Sequence, residues 1–242
     1  MSAPQFFVER LKGAGATVTL SPQDSRHALR SLRLQPGEEV SLADGAGTVG
    51  RGRLGGEEDD LALIKVETVH RVVRRPPIVS VAMAAPKGDR LSWAVQKLAE
   101  VGVDEAVLIE TGRSVRSWEA DRAGRAAERL RAVSREAAMQ SRQPFVMEVI
   151  PAVPFLEAFP PPGAMGVLLW AGARTGLAQV LPEDATGIRL LVGPEGGFSE
   201  EEIDSAREAS VAEASLGPSI LRTETAALVG ATLVLARYGR LG

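Results

Sequence analysis

Beyond Pro77 the chain alternates between two kinds of segment, and that alternation constrains its fold more than any other feature. Short apolar runs (IVSVAMAA, EAVLIET, FVMEVI, MGVLLWA, IRLLVG and VAEASLG) are interleaved with helical patterns, among them DRLSWAVQKLAEVG, WEADRAGRAAERLRAVSREAAMQS, SEEEIDSAREA and TETAALVGATLVLARYG. A continuously apolar strand has no face to give to water. It must be covered on both sides, which is the condition of a parallel sheet with helices on each face. DRLSWAVQKLAEVG is amphipathic and is expected to end at Gly102. Trp93 within it, and Trp118 in the longer helix, read as packing residues. The last helix is apolar on much of its circumference, which fits either burial or a dimer face.

Residues 1–73 read differently. QFFVE, ATVTL, EEVSLADG, TVGRGRL and LALIKVETVHRVV are short strands, with a hairpin turn at DGAG (44–47), where Asp and Gly tolerate positive φ. One helix interrupts them, SPQDSRHALRSLRL, with Ser21 as N-cap and Pro22 at its first position. Short strands with glycine-rich turns suggest a small barrel, with Phe6 and Phe7 in its core. The RRPP break at 74–77 separates two domains, expected over residues 1–73 and 76–242.

Composition removes several function classes. The 242 residues include no cysteine and two histidines, which excludes disulfides, thiolate metal sites and a cysteine nucleophile, and leaves no metal expected. No apolar run approaches the roughly 20 residues that span a bilayer, and the N-terminal sequence lacks a secretory pattern, so the expectation is a cytoplasmic protein without membrane contact. The net charge of −3 argues against a uniformly basic nucleic-acid binder. It divides unevenly, however: residues 1–145 carry +3 and residues 146–242 carry −6. On charge alone this asymmetry reads as ordinary surface variation.

The stretch LLVGPEGGFSEEEI (190–203) sets three glycines and a proline between a strand and a helix. Such a loop invites a phosphate, but the pattern matches neither a P-loop nor a dinucleotide fingerprint. Ser199 and Glu202 form a capping box, and Glu200, Glu201 and Glu202 occupy the first helical turn, where they complement the helix dipole and repel an anion. What remains is a backbone-lined loop at the carboxyl end of a parallel strand, a usual ligand position in α/β sheets. Gly193, Gly196 and Gly197 allow close approach, and Glu195 favours a neutral or cationic ligand. A second loop of the same kind, SLGPSIL, precedes RTETAAL, with Thr223 as a natural N-cap and Arg222 and Glu224 on either side of it. An arginine before a helix N-terminus is unfavourable to the dipole and points to an external partner.

LLVGPEGGFSEEEI followed by LGPSILRTETAAL resembles the RsmE family of 16S rRNA uridine-N3 methyltransferases, of the SPOUT class. HALRSLRLQPGE (27–38), KGDRLSWAVQKLAEVGV (87–103) and REAAMQSRQ (135–143) extend the resemblance over almost the whole chain. It implies an α/β protein with an N-terminal PUA-like β-barrel and a SPOUT domain whose C-terminal segment is threaded through a trefoil knot. It implies a homodimer, S-adenosyl-L-methionine as cofactor, and 16S rRNA of the small ribosomal subunit as partner. By motif position the cofactor residues are Leu191, Val192, Gly193, Pro194, Glu195, Gly196, Gly197, Leu216, Gly217, Ile220, Leu221, Arg222, Thr225 and Ala226. Trp170 and Ala171 join them from a third loop after MGVLLWA. A sulfonium cation beside Glu195 agrees with the charge reading of the loop.

The same inventory limits the chemistry. Without cysteine, direct in-line transfer to nitrogen or oxygen fits better than methylation of a pyrimidine carbon, with positioning supplying most of the rate. Arg222 is a candidate catalytic residue, able to stabilise charge developing on the base oxygens. Glu224 is the second, either holding Arg222 or accepting the proton of uridine N3. Arg26, Arg30 and Arg33, at helical spacings of four and three, are expected on one face with His27 beside them, a stripe suited to RNA phosphates. Lys87, Arg90, Gln140 and Arg142 are further RNA-binding candidates. The alternatives are a SPOUT enzyme for another nucleotide position, such as a ribose 2′-oxygen, and a non-catalytic ribosome-assembly protein.

Overall fold

The structure, a computed structural model, describes residues 3–114 and 120–241. Trp118 lies outside the described residues. The chain divides into two compact units: residues 3–74 together with Ala138–Val146, and Arg75–Ala137 together with residues 147–241. The segment Ala138–Val146, which the sequence places at and beyond the end of a second-domain helix, therefore groups with the first unit.

The first unit holds strands β1 (Gln5–Phe7), β2 (Thr17–Thr19), β3 (Glu39–Ala43), β4 (Thr48–Glu58) and β5 (Leu61–Arg71), ordered β1-β3-β4-β5-β2. The expected hairpin turn at 44–47 forms. Asp44 Oδ1 accepts the N–H groups of Ala46 and Thr48 at 2.8 Å, and Gly45 and Gly47 take φ of 73° and 101°. The long β4–β5 hairpin bends through two register shifts. At Gly50 a Cβ would stand 2.2 Å from the Thr68 carbonyl oxygen, so that crossing admits only glycine. Phe6, Leu20, Val40, Leu42, Leu54, Ile64 and Val66 form the core. Among the described residues β1 and β2, each of three residues, are the two outer strands of this sheet. Met139 packs against this core, and Val146 N–H donates to the Gly45 carbonyl at 3.0 Å.

Helix α1 (Pro22–Arg26) starts as read, with Ser21 Oγ accepting the Asp24 N–H at 3.1 Å and Pro22 in the first turn. It does not continue to Leu34. The α pattern gives way to one π-helical turn, His27–Ser31, closed by Leu32 N–H on the His27 carbonyl, and Arg33 sits at φ 54°. Arg33 is thus outside the helix, and the expected single face of Arg26, Arg30 and Arg33 is not built by helical periodicity.

The second unit is the parallel sheet that the apolar runs require. Its strands are β6 (Ile78–Ala84), β7 (Glu105–Glu110), β8 (Glu148–Pro154), β9 (Met165–Leu169), β10 (Gly187–Val192) and β11 (Ala212–Ala214), all parallel, in the order β11-β9-β10-β6-β7-β8. Alternate residues feed two cores. Val79, Val81, Met83, Leu108, Val167, Leu169, Leu190 and Val192 face one layer, made chiefly of α2 (Arg90–Val101) and α6 (Thr223–Arg237). Ala82, Ala84, Val107, Ile109, Leu168 and Leu191 face the other, which holds Phe155, Phe198 and α5 (Glu200–Glu208). Each fully buried Leu, Val or Ile on these faces contributes about 1.5–3 kcal/mol of transfer free energy. Among the described residues α3 (Ala120–Ser141) and the short α4 (Leu177–Val180) are the remaining α-helices, and a 3-10 turn spans Phe155–Ala158.

α2 ends at Gly102 with φ 90°, as its sequence predicts, and buries Leu91, Ala94, Val95, Leu98 and Ala99. Trp93 points away from that face and is 43% exposed, so it is not the packing residue expected. α6 buries Ala227, Gly230, Ala231, Val234 and Leu235. A Cβ on Gly230 would stand 2.7 Å from Leu169 Cδ1 and 3.1 Å from Leu190 Cδ1, so the helix has no room for a side chain there. Beyond α6, Arg240 bonds Asp104 through both guanidinium ends, at 2.6 and 3.1 Å, and also reaches the carbonyls of Pro77 and Gly102. Among the described residues no helix is long and apolar enough to cross a membrane.

Candidate functional site

Because all six strands run in parallel, the loops after β6, β9, β10 and β11 open at one edge of the sheet. The loop after β10 is held from several directions. Ser199 and Glu202 close the expected capping box, with Glu202 Oε2 accepting the Ser199 N–H at 2.8 Å and Ser199 Oγ accepting the Glu202 N–H at 3.2 Å. Glu202 Oε1 also accepts the Gly112 N–H at 2.7 Å. Arg113 donates to the carbonyls of Gly196 and Phe198 at 3.0 and 3.2 Å. Two of the three glycines answer to the fold itself. Gly197 has φ 69°, and a Cβ on Gly193 would press on the Phe198 ring at 3.1 Å. Gly196 meets no such constraint. Leu191 and Val192 commit their side chains to the two cores and pair with β6 and β9 in the sheet ladder, so they position the loop.

The loop after β11 is more open. Gly217 has φ 112°, Arg222 is exposed, and Ile220 is 89% exposed. Thr223 is not the N-cap. Arg222 occupies the cap position in extended backbone, without a side-chain cap bond, and Thr223 is the first helical residue. The Thr223 hydroxyl is directed elsewhere, donating to the Gly193 carbonyl at 2.9 Å. The loops after β10 and β11 are therefore joined directly.

Trp170 follows β9 and supplies a third side. It lines a pocket of about 80 Å³ together with Leu169, Ala171, Leu216, Gly217, Ser219, Ile220, Leu221 and Ala226. The structure thus brings together Trp170, Ala171, Leu216, Gly217, Ile220, Leu221 and Ala226 from the expected cofactor set. Pro194, Glu195, Gly196 and Gly197 do not line this pocket, and Thr225 lies half-buried in the first turn of α6. The indole N–H of Trp170 donates to Glu213 Oε2 at 2.8 Å. Glu213 Oε1 accepts from Arg207 Nε at 2.6 Å. The Arg207 hydrogen bond, aided by that of Trp170 and opposed by burial, holds the Glu213 carboxyl below the usual carboxylate range.

A second polar cluster joins the loop after β10 to α6. Glu224 is 7% exposed, its Oε2 is buried without a hydrogen-bond partner, and its Oε1 lies 3.6 Å from Arg90 Nε. The other side of the same guanidinium lies 3.9 Å from Glu195 Oε1. Arg90 is thus occupied by two carboxylates, whereas the sequence casts it as an RNA contact. Glu224 faces Arg90 through this ion pair, where the sequence offers Arg222 as the side chain it holds. Lys87 is exposed and lines a shallow groove with Gly88, Asp89, Arg90 and Trp93.

The other RNA candidates belong to the first unit. Arg26, His27, Arg30, Arg33, Gln140 and Arg142 are exposed. Arg26 Nε donates to the Pro22 carbonyl at 3.2 Å, and Arg30 lies 3.3 Å from Asp60 and 3.9 Å from Glu57. Arg142, at φ 60°, donates to the Ala3 carbonyl at 2.8 Å. Sequence reasoning missed Arg113, Arg207, Glu213 and Ser219. Only Glu213, an acidic residue on a short apolar strand, carried a local signal.

Comparison with known proteins places this arrangement. Residues 74–235 match the family model of an RNA methyltransferase domain, and residues 20–67 match that of an RNA methyltransferase PUA domain, so the chain is of the RNA methyltransferase class. Over 241 aligned residues it is 33% identical to the ribosomal RNA small subunit methyltransferase E of Mycobacterium tuberculosis, covering 95% of this chain and 90% of that protein. The Bacillus subtilis protein of the same name is 27% identical over 93% of each chain. The chain belongs to the ribosomal RNA small subunit methyltransferase E family. The crystal structure of the Neisseria gonorrhoeae member, bound to S-adenosyl methionine, superposes with a TM-score of 0.88 at 27% identity, over 98% of both chains. A probable rRNA-methyltransferase from Porphyromonas gingivalis superposes at 0.84 and 28% identity, again over 98% of both.

Proposed function

We propose that this protein is an S-adenosyl-L-methionine-dependent methyltransferase that modifies N3 of one specific uridine in 16S rRNA of the small ribosomal subunit. The observation that carries the reading is the convergence of Trp170, Ala171, Leu216, Gly217, Ile220, Leu221 and Ala226 on one small apolar pocket in the same unit as Glu195 and Glu224. Its lining suits a purine ring. The two carboxylates, and the unpartnered Glu224 Oε2 in particular, suit a cation, and no basic residue lines the pocket to favour a phosphate. When bound, S-adenosyl-L-methionine supplies a methyl group activated by its positive sulfonium.

The chain's own residues do the rest. The loop walls take the adenine, and backbone groups of 216–221 supply its hydrogen bonds. Arg222, exposed at the helix entrance, stabilises negative charge on the uracil oxygens as N3 loses its proton. Glu224 is the proton acceptor in this scheme, with Arg90 fixing its other oxygen. The exposed Arg26, Arg30 and Arg33, with His27, Lys87, Gln140 and Arg142, contact RNA backbone, while Arg90 serves the carboxylates. The proposal includes the trefoil knot around the C-terminal loops, a homodimer, a cytoplasmic location and an RNA-binding role for residues 1–73 beside the catalytic residues 76–242.

Mass spectrometry of 16S rRNA from cells lacking the protein tests this reading. N3-methyluridine should disappear at one position, return with the wild-type gene, and stay absent with Arg222→Ala. Its persistence in the deletion strain would overturn the substrate assignment.

A further inference from the structure

The wall that Trp170 gives to the pocket is held from outside the pocket. Its indole N–H is tied to Glu213 Oε2 at 2.8 Å, and its main-chain N–H donates to the Ala214 carbonyl at 3.1 Å. The ring lies over Gly172, where a Cβ would stand 2.1 Å from ring atom Cζ3. Any side chain at 172 would expel the indole from its seat. Glu213 is fixed in turn by Arg207 Nε at 2.6 Å, and Arg207 reaches Asp204 Oδ1 at 2.7 Å. Glu213 also sits on β11, which pairs with β9 and leads through Ser215 into Leu216, Gly217, Ser219, Ile220 and Leu221, a second wall. One side-chain bond therefore fastens two walls of the pocket at their roots.

We propose that Glu213, backed by Arg207, is a positioning residue that locks Trp170 as a rigid aromatic wall for the purine end of the methyl donor. It thereby sets cofactor affinity and leaves the methyl-transfer step alone. The inference rests on the assignment of this pocket to S-adenosyl-L-methionine. Its physical basis is preorganisation: an aromatic wall already held in place loses little conformational freedom when a ligand arrives, and a swinging one loses more. The Gly172 contact and the indole bond act on opposite parts of one ring, so neither alone explains the other.

The test is titration calorimetry with S-adenosyl-L-methionine and steady-state kinetics on the full-length protein. Glu213→Ala should raise both Kd and KM for the cofactor about threefold to tenfold, the effect of one lost hydrogen bond, with kcat at saturation unchanged. Trp170→Phe, which keeps a ring and removes the donor, should weaken cofactor binding to a similar extent. The double variant should be no weaker than either single one, because both break the same bond. Glu213→Gln keeps an acceptor oxygen and should bind more tightly than Glu213→Ala, a rescue that general loosening of the fold would not give. Wild-type affinity in folded Glu213→Ala, a fall in kcat in place of affinity, or losses that multiply in the double variant would each overturn the proposal. Ala226→Leu separates it from the pocket assignment. If filling the pocket leaves cofactor binding intact, the assignment falls and the positioning role with it. If Ala226→Leu blocks binding while Glu213→Ala does not weaken it, the positioning role alone falls.

Discussion

Thr223 Oγ1 donates a hydrogen bond to the Gly193 carbonyl oxygen at 2.9 Å, so the first residue of α6 is tied to the residue that follows β10. Both groups sit at loop ends whose neighbours are in the expected cofactor set, and Thr223 itself is buried. Thr223→Val keeps the shape and removes the donor, leaving a carbonyl unsatisfied at a cost of about 1–3 kcal/mol. Urea denaturation should show that loss, and calorimetry should show weaker S-adenosyl-L-methionine binding, because the two loops are no longer held in register. Unchanged affinity would mean that the loops are positioned by something else.

Arg222 presents the opposite case. It is exposed and makes no side-chain capping bond, so Arg222→Ala should leave the unfolding midpoint within experimental error. Methylation of small-subunit RNA should nevertheless fall by about 100-fold or more, the scale of removing a group that stabilises developing charge. Cofactor binding by calorimetry should be retained, and its loss would move Arg222 from chemistry to cofactor recognition.

Arg90 separates two roles that its position on α2 leaves open. As a counter-ion for Glu195 and the buried Glu224, its removal leaves a carboxylate without compensation. The guanidinium is itself partly exposed, so the cost in Arg90→Ala should be about 1–2 kcal/mol, below that of a fully buried pair. The slope of RNA affinity against salt should not change. By contrast, Arg26→Ala or Arg33→Ala, if these side chains meet phosphates, should lower that slope by about 1 each without altering stability. A reduced salt slope for Arg90→Ala would restore it to the RNA surface.

The parallel sheet covered on both faces was legible because its signal is local. Runs such as IVSVAMAA state their own burial, and the structure deals Val81 and Ala82 to opposite cores as the strand period requires. The capping box of Ser199 and Glu202 was legible for the same reason, being a relation over three residues. Thr223 was misread because its hydroxyl had two possible partners, a backbone N–H of the following helical turn, from which it would accept, and the Gly193 carbonyl, to which it donates. The local one is visible in sequence, whereas the Gly193 carbonyl comes near only through the fold. Arg113 reaches Gly196 across 83 residues and Trp170 reaches Glu213 across 43, distances at which no periodicity connects the partners. The shared face expected for Arg33 fails for a different reason: the helix ends in a π-helical turn at Ser31, and Arg33, at φ 54°, lies beyond it.

Arg240 and Asp104 give a stability prediction independent of any ligand. Both side chains are nearly buried, and Asp104 also accepts the Val79 N–H at 2.7 Å at the start of the central strand pair. Arg240→Ala removes one charge and leaves the other inside the protein, which costs about 3–5 kcal/mol. Thermal unfolding should shift markedly downward, and Arg240→Lys should recover only part of the loss because one ammonium cannot serve Asp104 and two carbonyls in the same fork geometry.

The last prediction concerns acid. The Arg207 hydrogen bond keeps the folded-state carboxyl of Glu213 more acidic than in the unfolded chain. A depressed carboxylate binds fewer protons when folded, so its contribution to stability is complete above the unfolded value of about 4.3 and is lost as pH falls through the lower folded value. Wild type and Glu213→Gln should therefore differ in unfolding free energy at pH 7, and the gap should narrow below about pH 4.3. Chemical denaturation of both proteins from pH 7 down to pH 3 measures it. A gap that stays constant across that range would show that the Glu213 charge contributes nothing to holding β11 and Trp170 together.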